Sequence, residues 1–91
     1  MKIVLTPTAN QDIEHIYNYI AKNNTISTAK KILNSIENMI DHLEKFSELG
    51  KIGRIRNTRE LTIPKLPFII VYKIYKTHIA IVSIMHTSKK W

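Results

Sequence analysis

Near residue 50 the spacing of apolar residues changes from a helical to a strand period, and this switch constrains the fold more than any other feature. Upstream, Ala29, Ile32, Leu33, Ile36, Ile40, Leu43 and Phe46 keep a three-and-four spacing for about five turns, the stripe of an amphipathic helix. Ile13, Ile16, Tyr17 and Ile20 make a shorter stripe of the same kind before it. Downstream, Arg59, Leu61 and Ile63 alternate with Thr58, Glu60 and Thr62. Residues 68–75 are then almost continuously apolar, as suits a central strand, and residues 78–86 read as a last strand. Helices grouped first and strands grouped last give separate layers, so the pattern predicts an α+β sandwich.

Punctuation residues set the boundaries. Residues 2–6 read as a short opening strand. Thr6-Pro7 supplies a cap and a tolerated first-turn proline, with Thr8 and Gln11 as an alternative capping box. Asn23-Asn24-Thr25 ends the first helix, and Thr25 or Ser27 caps the second. The connection is so short that the two helices form an antiparallel hairpin. Gly50 and Gly53 close the helical region. Pro64 to Pro67 is a turn, and Lys76-Thr77 is a tight one. The predicted order is β-α-α-β-β-β: a two-helix hairpin packed on a mainly antiparallel sheet, with residues 1–91 as a single domain.

Charge is segregated. The chain carries 14 Lys plus Arg against 7 Asp plus Glu, a net +7. Residues 1–50 hold 5 basic and 6 acidic side chains, whereas residues 51–91 hold 9 and 1. A basic half of this kind predicts a surface for something anionic, either nucleic acid or an acidic protein. The absence of Cys excludes a disulfide scaffold, a Cys-based zinc site and a thiol nucleophile. No apolar run approaches the ~20 residues of a membrane span. The start Met1-Lys2-Ile3-Val4-Leu5 has no signal-peptide pattern, so the expected compartment is the cytoplasm.

The four histidines His15, His42, His78 and His86 have no metal-ligand spacing, and no phosphate-cradling glycine loop is present, so neither metal nor cofactor is expected. His15 and His42 read as exposed helix residues. Lys51, Arg54, Arg56 and Arg59 lead into the second predicted strand, and Lys89 and Lys90 follow the last. The expectation is that the start of the second strand and the end of the last lie at one end of the sheet, with His86 there and Tyr72 nearer or farther according to the face it takes. Such a cluster could cleave RNA through its own 2′-hydroxyl, with His86 moving a proton and Arg59 stabilising the phosphorane. The competing reading has Tyr72 in the core, His86 at a strand end and the cations as partner contacts.

Three segments carry a family resemblance. They are Gly53-Arg54-Ile55-Arg56-Asn57-Thr58-Arg59-Glu60-Leu61, Pro67-Phe68-Ile69-Ile70-Val71-Tyr72-Lys73-Ile74 and Ile84-Met85-His86-Thr87-Ser88-Lys89-Lys90-Trp91. Together with the opening strand, Thr-Pro and helix pair, the chain resembles the RelE/ParE toxin superfamily of type II toxin–antitoxin systems over its whole length. The resemblance implies a small cytoplasmic toxin neutralised by a short acidic antitoxin, with operator DNA bound only through that antitoxin. RelE-like members cut messenger RNA on the ribosome, whereas ParE-like members are described as acting on DNA gyrase without nuclease activity. The ribonucleases usually place an arginine where this chain has Ile69. They also carry further basic residues or a His-Tyr pair near the C-terminus, where this chain has His86-Thr87 and Trp91. The reading therefore leans to the ParE-like or StbE-like branch, a growth-inhibiting and non-enzymatic toxin. The alternative is a RelE-like endoribonuclease with His86 and Arg59 as its catalytic residues. Arg54, Arg56, Tyr72, Lys89, Lys90 and Trp91 are the candidate binding residues, and the free protein is expected to be a monomer.

Overall fold

Thr6 decides where the first helix starts. Its backbone stays extended while its hydroxyl accepts the Ala9 N–H at 3.1 Å, and Pro7 fills the position whose N–H would have had no partner. In the computed structural model, which describes residues 1–87, β1 (Lys2–Leu5) runs into α1 (Pro7–Asn23) through this cap. Asn24 interrupts the helix. Thr25 starts the next, α2 (Ile26–Lys45), by accepting the Thr28 N–H at 3.0 Å. The remaining elements are strands: β2 (Lys51–Ile52), β3 (Arg59–Thr62), β4 (Phe68–Ile74) and β5 (His78–His86).

The five strands form one sheet in the order β1-β5-β4-β3-β2. All neighbours are antiparallel except β1 and β5, which run parallel with Lys2 opposite His78 and Leu5 opposite Ile81. Val71 opposes Ser83 and Tyr72 opposes Ile81, so Val82 is an extra residue, a β-bulge. Thr6 braces this bulge. Its hydroxyl lies 3.0 Å from the Ile81 carbonyl and 2.9 Å from that of Val82, and its N–H donates to Ile81.

Both helices cover one face of the sheet. Ile36 and Leu43 from α2 meet Ile70 and Tyr72 from β4 and Ile79 and Ile81 from β5, all fully buried. Each such aliphatic side chain contributes about 1.5–3 kcal/mol by leaving water. The face turned away from the helices has a smaller buried strip, Ile69, Val71 and Ala80.

The expected α+β architecture is the observed one, with local differences. The order gains a strand, because Lys51–Ile52 pairs with Glu60 and Arg59. Phe46, expected in the buried stripe of α2, lies one residue beyond the helix and is 59% exposed. Thr6 leaves the first strand to become the cap, and Tyr75 lies outside β4.

Candidate functional site

The two ends of the sheet carry different chemistry. In a three-strand antiparallel meander the outer strands run the same way, so the start of one and the end of the other lie at different ends of the sheet. Arg59 at the start of β3 is level with Tyr72, whereas His86 at the end of β5 is level with Phe68. Four residues of β4 separate those levels, about 13 Å along the strand. The expected cluster of His86 with Arg54, Arg56 and Arg59 is therefore corrected. The arginines sit at one end of the sheet and His86 at the other.

At the arginine end, register places Ile52, Arg59 and Tyr72 side by side on the helix-covered face. Tyr72 is completely buried, and its hydroxyl donates to the Ser47 carbonyl and accepts the Gly50 N–H, both at 2.8 Å. Arg59 donates from Nη1 to the Gly50 carbonyl at 2.7 Å, and its Nη2 lies 3.7 Å from the Glu48 carboxylate. Gly50 is required here. A Cβ would stand 2.8 Å from the Glu60 carbonyl and from the Tyr72 ring. Two strand residues thus hold the linker from α2 to β2. Burial pushes the Tyr72 hydroxyl above its usual pKa, opposed by the Gly50 N–H and the Arg59 charge. Tyr72 offers no surface for binding, and Arg59 is largely occupied.

On the other face of β3, Glu60 is 3% exposed. Its carboxylate accepts the Arg54 backbone N–H at 2.9 Å and two guanidinium contacts at 3.4 Å. The backbone hydrogen bond, helped by the guanidinium charge, holds this carboxyl below the usual range despite burial. Arg54 thereby folds the β2–β3 loop over its own strand, while Arg56 is exposed within that loop.

At the opposite end an open groove of about 590 Å³ lies between α1 and the β4–β5 pair. Ile16, Ile20, Phe68 and Ile84 give it an apolar floor, and Asp12, His15, Tyr19 and His86 lie among its polar lining. His86 is exposed, and its ring meets Phe68 edge-on with centroids 5.5 Å apart. Asp12 Oδ2 accepts the Ile84 N–H at 3.0 Å, so this carboxylate ties α1 to β5. His15 is exposed on its helix, as expected, but the groove it lines was not foreseen. The signal was present: Asp12, His15, Ile16, Tyr19, Ile20 and Asn23 follow the spacing of one helix face. Lys89, Lys90 and Trp91 lie outside the described residues.

Comparison with known proteins adds to this geometry. Residues 3–91 match the family model described as ParE toxin of type II toxin-antitoxin system, parDE. A Sinorhizobium fredii (strain NBRC 101917 / NGR234) protein recorded as "Putative toxin Y4kP" is 31% identical over 90 residues, covering 99% of this chain and 92% of that protein. A chain of the chromosomal ParDE TA system from P. aeruginosa superposes with a TM-score of 0.90 at 21% identity, covering 97% of both chains. The YoeB dimer from Staphylococcus aureus gives 0.61 at 20% identity, covering 91% of this chain and 92% of that one. At those identities the two structures speak for the fold.

Proposed function

The chain belongs to the ParE toxin family of type II toxin–antitoxin systems, and from that premise we propose that it arrests growth by acting on DNA gyrase without cleaving RNA. The observation that carries this reading is the separation of Arg59 from His86. A general acid and the cation that stabilises a phosphorane must reach the same phosphate, within hydrogen-bonding distance of it. Here about 13 Å of strand intervenes, and Arg59 is engaged with Gly50 and Glu48. His86 faces a groove whose floor is apolar. The toxin would act in the cytoplasm.

Its neutralising partner in this reading is a short acidic antitoxin, complementary to the net +7 of the chain. The exposed parts of the helix hairpin, including the α1 side of the groove, and the exposed Arg56 of the β2–β3 loop are where that partner would meet it. Operator DNA would be recognised through the antitoxin.

Mapping of RNA 5′ ends after tightly controlled induction tests the target. Growth arrest without new cuts in translated reading frames, with loss of supercoiling by purified gyrase, is expected. New cuts that vanish in His86→Ala, with fold and antitoxin affinity kept, would replace this reading with the ribonuclease one.

A further inference from the structure

One end of the sheet gathers most of the basic half of the chain. The β2–β3 loop, the β4–β5 turn and the start of β1 all lie there, since Ile52 pairs with Arg59, Ile74 with Ile79 and Lys2 with His78. Strand alternation sorts the side chains by face. Arg59 falls on the helix side. Lys2, Lys51 and Lys73 fall on the other face, because their neighbours Ile3, Arg59's partner Ile52, and Tyr72 lie on the helix side. Lys76 is exposed in the adjoining turn. Lys73 Nζ lies 5.5 Å from the centroid of the Tyr75 ring, which stacks on His78 at 4.8 Å.

We propose that this face, with Lys2, Lys51, Lys73 and Lys76 as its contacts, binds the phosphodiester backbone of nucleic acid without reading sequence. Three observations favour that occupant over an acidic protein. First, the cations on this face are lysines, point charges suited to phosphate, whereas the guanidinium groups of Arg54 and Arg59 are engaged with Glu60, Glu48 and Gly50. Secondly, lysine is depleted at protein–protein interfaces. Thirdly, the charges are spread across the sheet. From β1 to β2 is about 19 Å at the usual strand spacing, a span of five to six duplex steps at about 3.4 Å each. Glu60, the only carboxylate in the five strands, is paired with Arg54, and Glu48 of the α2–β2 linker lies 3.7 Å from Arg59. This inference goes beyond the gyrase reading and does not depend on it.

Fluorescence anisotropy of a short labelled duplex with the full chain tests it. With about four phosphate contacts, the logarithm of the binding constant should fall with that of salt concentration with a slope near −3.6, roughly a hundredfold between 50 and 200 mM. Lys73→Gln combined with Lys76→Gln should make the slope shallower by about 2, and Lys2→Gln combined with Lys51→Gln should do the same. Lys30→Gln with Lys31→Gln on the exposed side of α2 should leave it unchanged, and circular dichroism checks that each variant is folded. Three results would overturn the proposal: no binding at low salt, equal loss in the α2 variant, or displacement of DNA by poly-glutamate at lower charge concentration than by unlabelled DNA. The last would assign the face to an acidic protein instead.

Discussion

Tyr72 and Arg59 show how two side chains can look functional and serve the backbone, here that of Gly50 and its neighbours. Tyr72→Phe removes a hydroxyl that satisfies the buried Gly50 N–H and the part-buried Ser47 C=O. The expected cost is about 1–3 kcal/mol by urea unfolding. Gly50→Ala should cost more, because its clash involves the Glu60 main chain. Thr6→Ala removes a helix cap together with the brace on the β5 bulge, so its loss should reach the upper part of the 0.5–2 kcal/mol range usual for caps, about 2 kcal/mol. Glu60 adds an acid-side dependence. Its folded pKa is lowered, so its contribution is complete above the ordinary value of 4.5 and is lost as pH falls through the folded value. A pH series of urea midpoints should therefore drop below about 4.5 in the native chain and drop less in Glu60→Gln. Lys65 holds φ at 65° in the turn after Ile63, where a side chain is disfavoured. Lys65→Asn is expected to keep or slightly raise the midpoint.

The elements differ in how plainly the chain announces them. The α2 stripe and the apolar run of β4 are long and strongly periodic, and both stand where the pattern puts them. Ile36→Ala, at the fully buried centre of that stripe, should cost about 2–5 kcal/mol. β2 was invisible because two exposed residues carry no pattern. It exists only because Lys51 and Ile52 find Glu60 and Arg59. The groove was legible in part. The face of α1 that lines it has helical spacing, but Phe68 and Ile84 join it only once β4 and β5 are registered. The misplaced catalytic cluster has a different cause. The strands were assigned correctly, and the error lay in direction, since the first and third strands of a meander are parallel to each other.

At the scale of the whole molecule, charge and hydrophobic burial are separated. The helix-covered face holds the main core, and the basic excess of residues 51–91 collects largely at one end of the sheet. Arg59→Ala is expected to lower toxicity only as far as it lowers the amount of folded protein, because Arg59 holds the linker. Quantifying soluble toxin beside growth arrest separates that outcome from a direct role. In contrast, neutralising Lys73 and Lys76 should leave the urea midpoint within about 0.5 kcal/mol, the usual limit for exposed positions.

The parallel pairing of β1 with β5 also dictates when this molecule can come into being. Residues 2–5 wait for residues 78–81, so β1 stays unpaired until β5 has been made. Such distant partners make for slow closure. A nascent chain carrying only the helices and the first hairpin strand has no finished sheet, and therefore no assembled toxin. Translation that stops before β5 yields a fragment without its central strand pair. Completion of the sheet thus waits on β5, the strand that both β1 and β4 need as a partner.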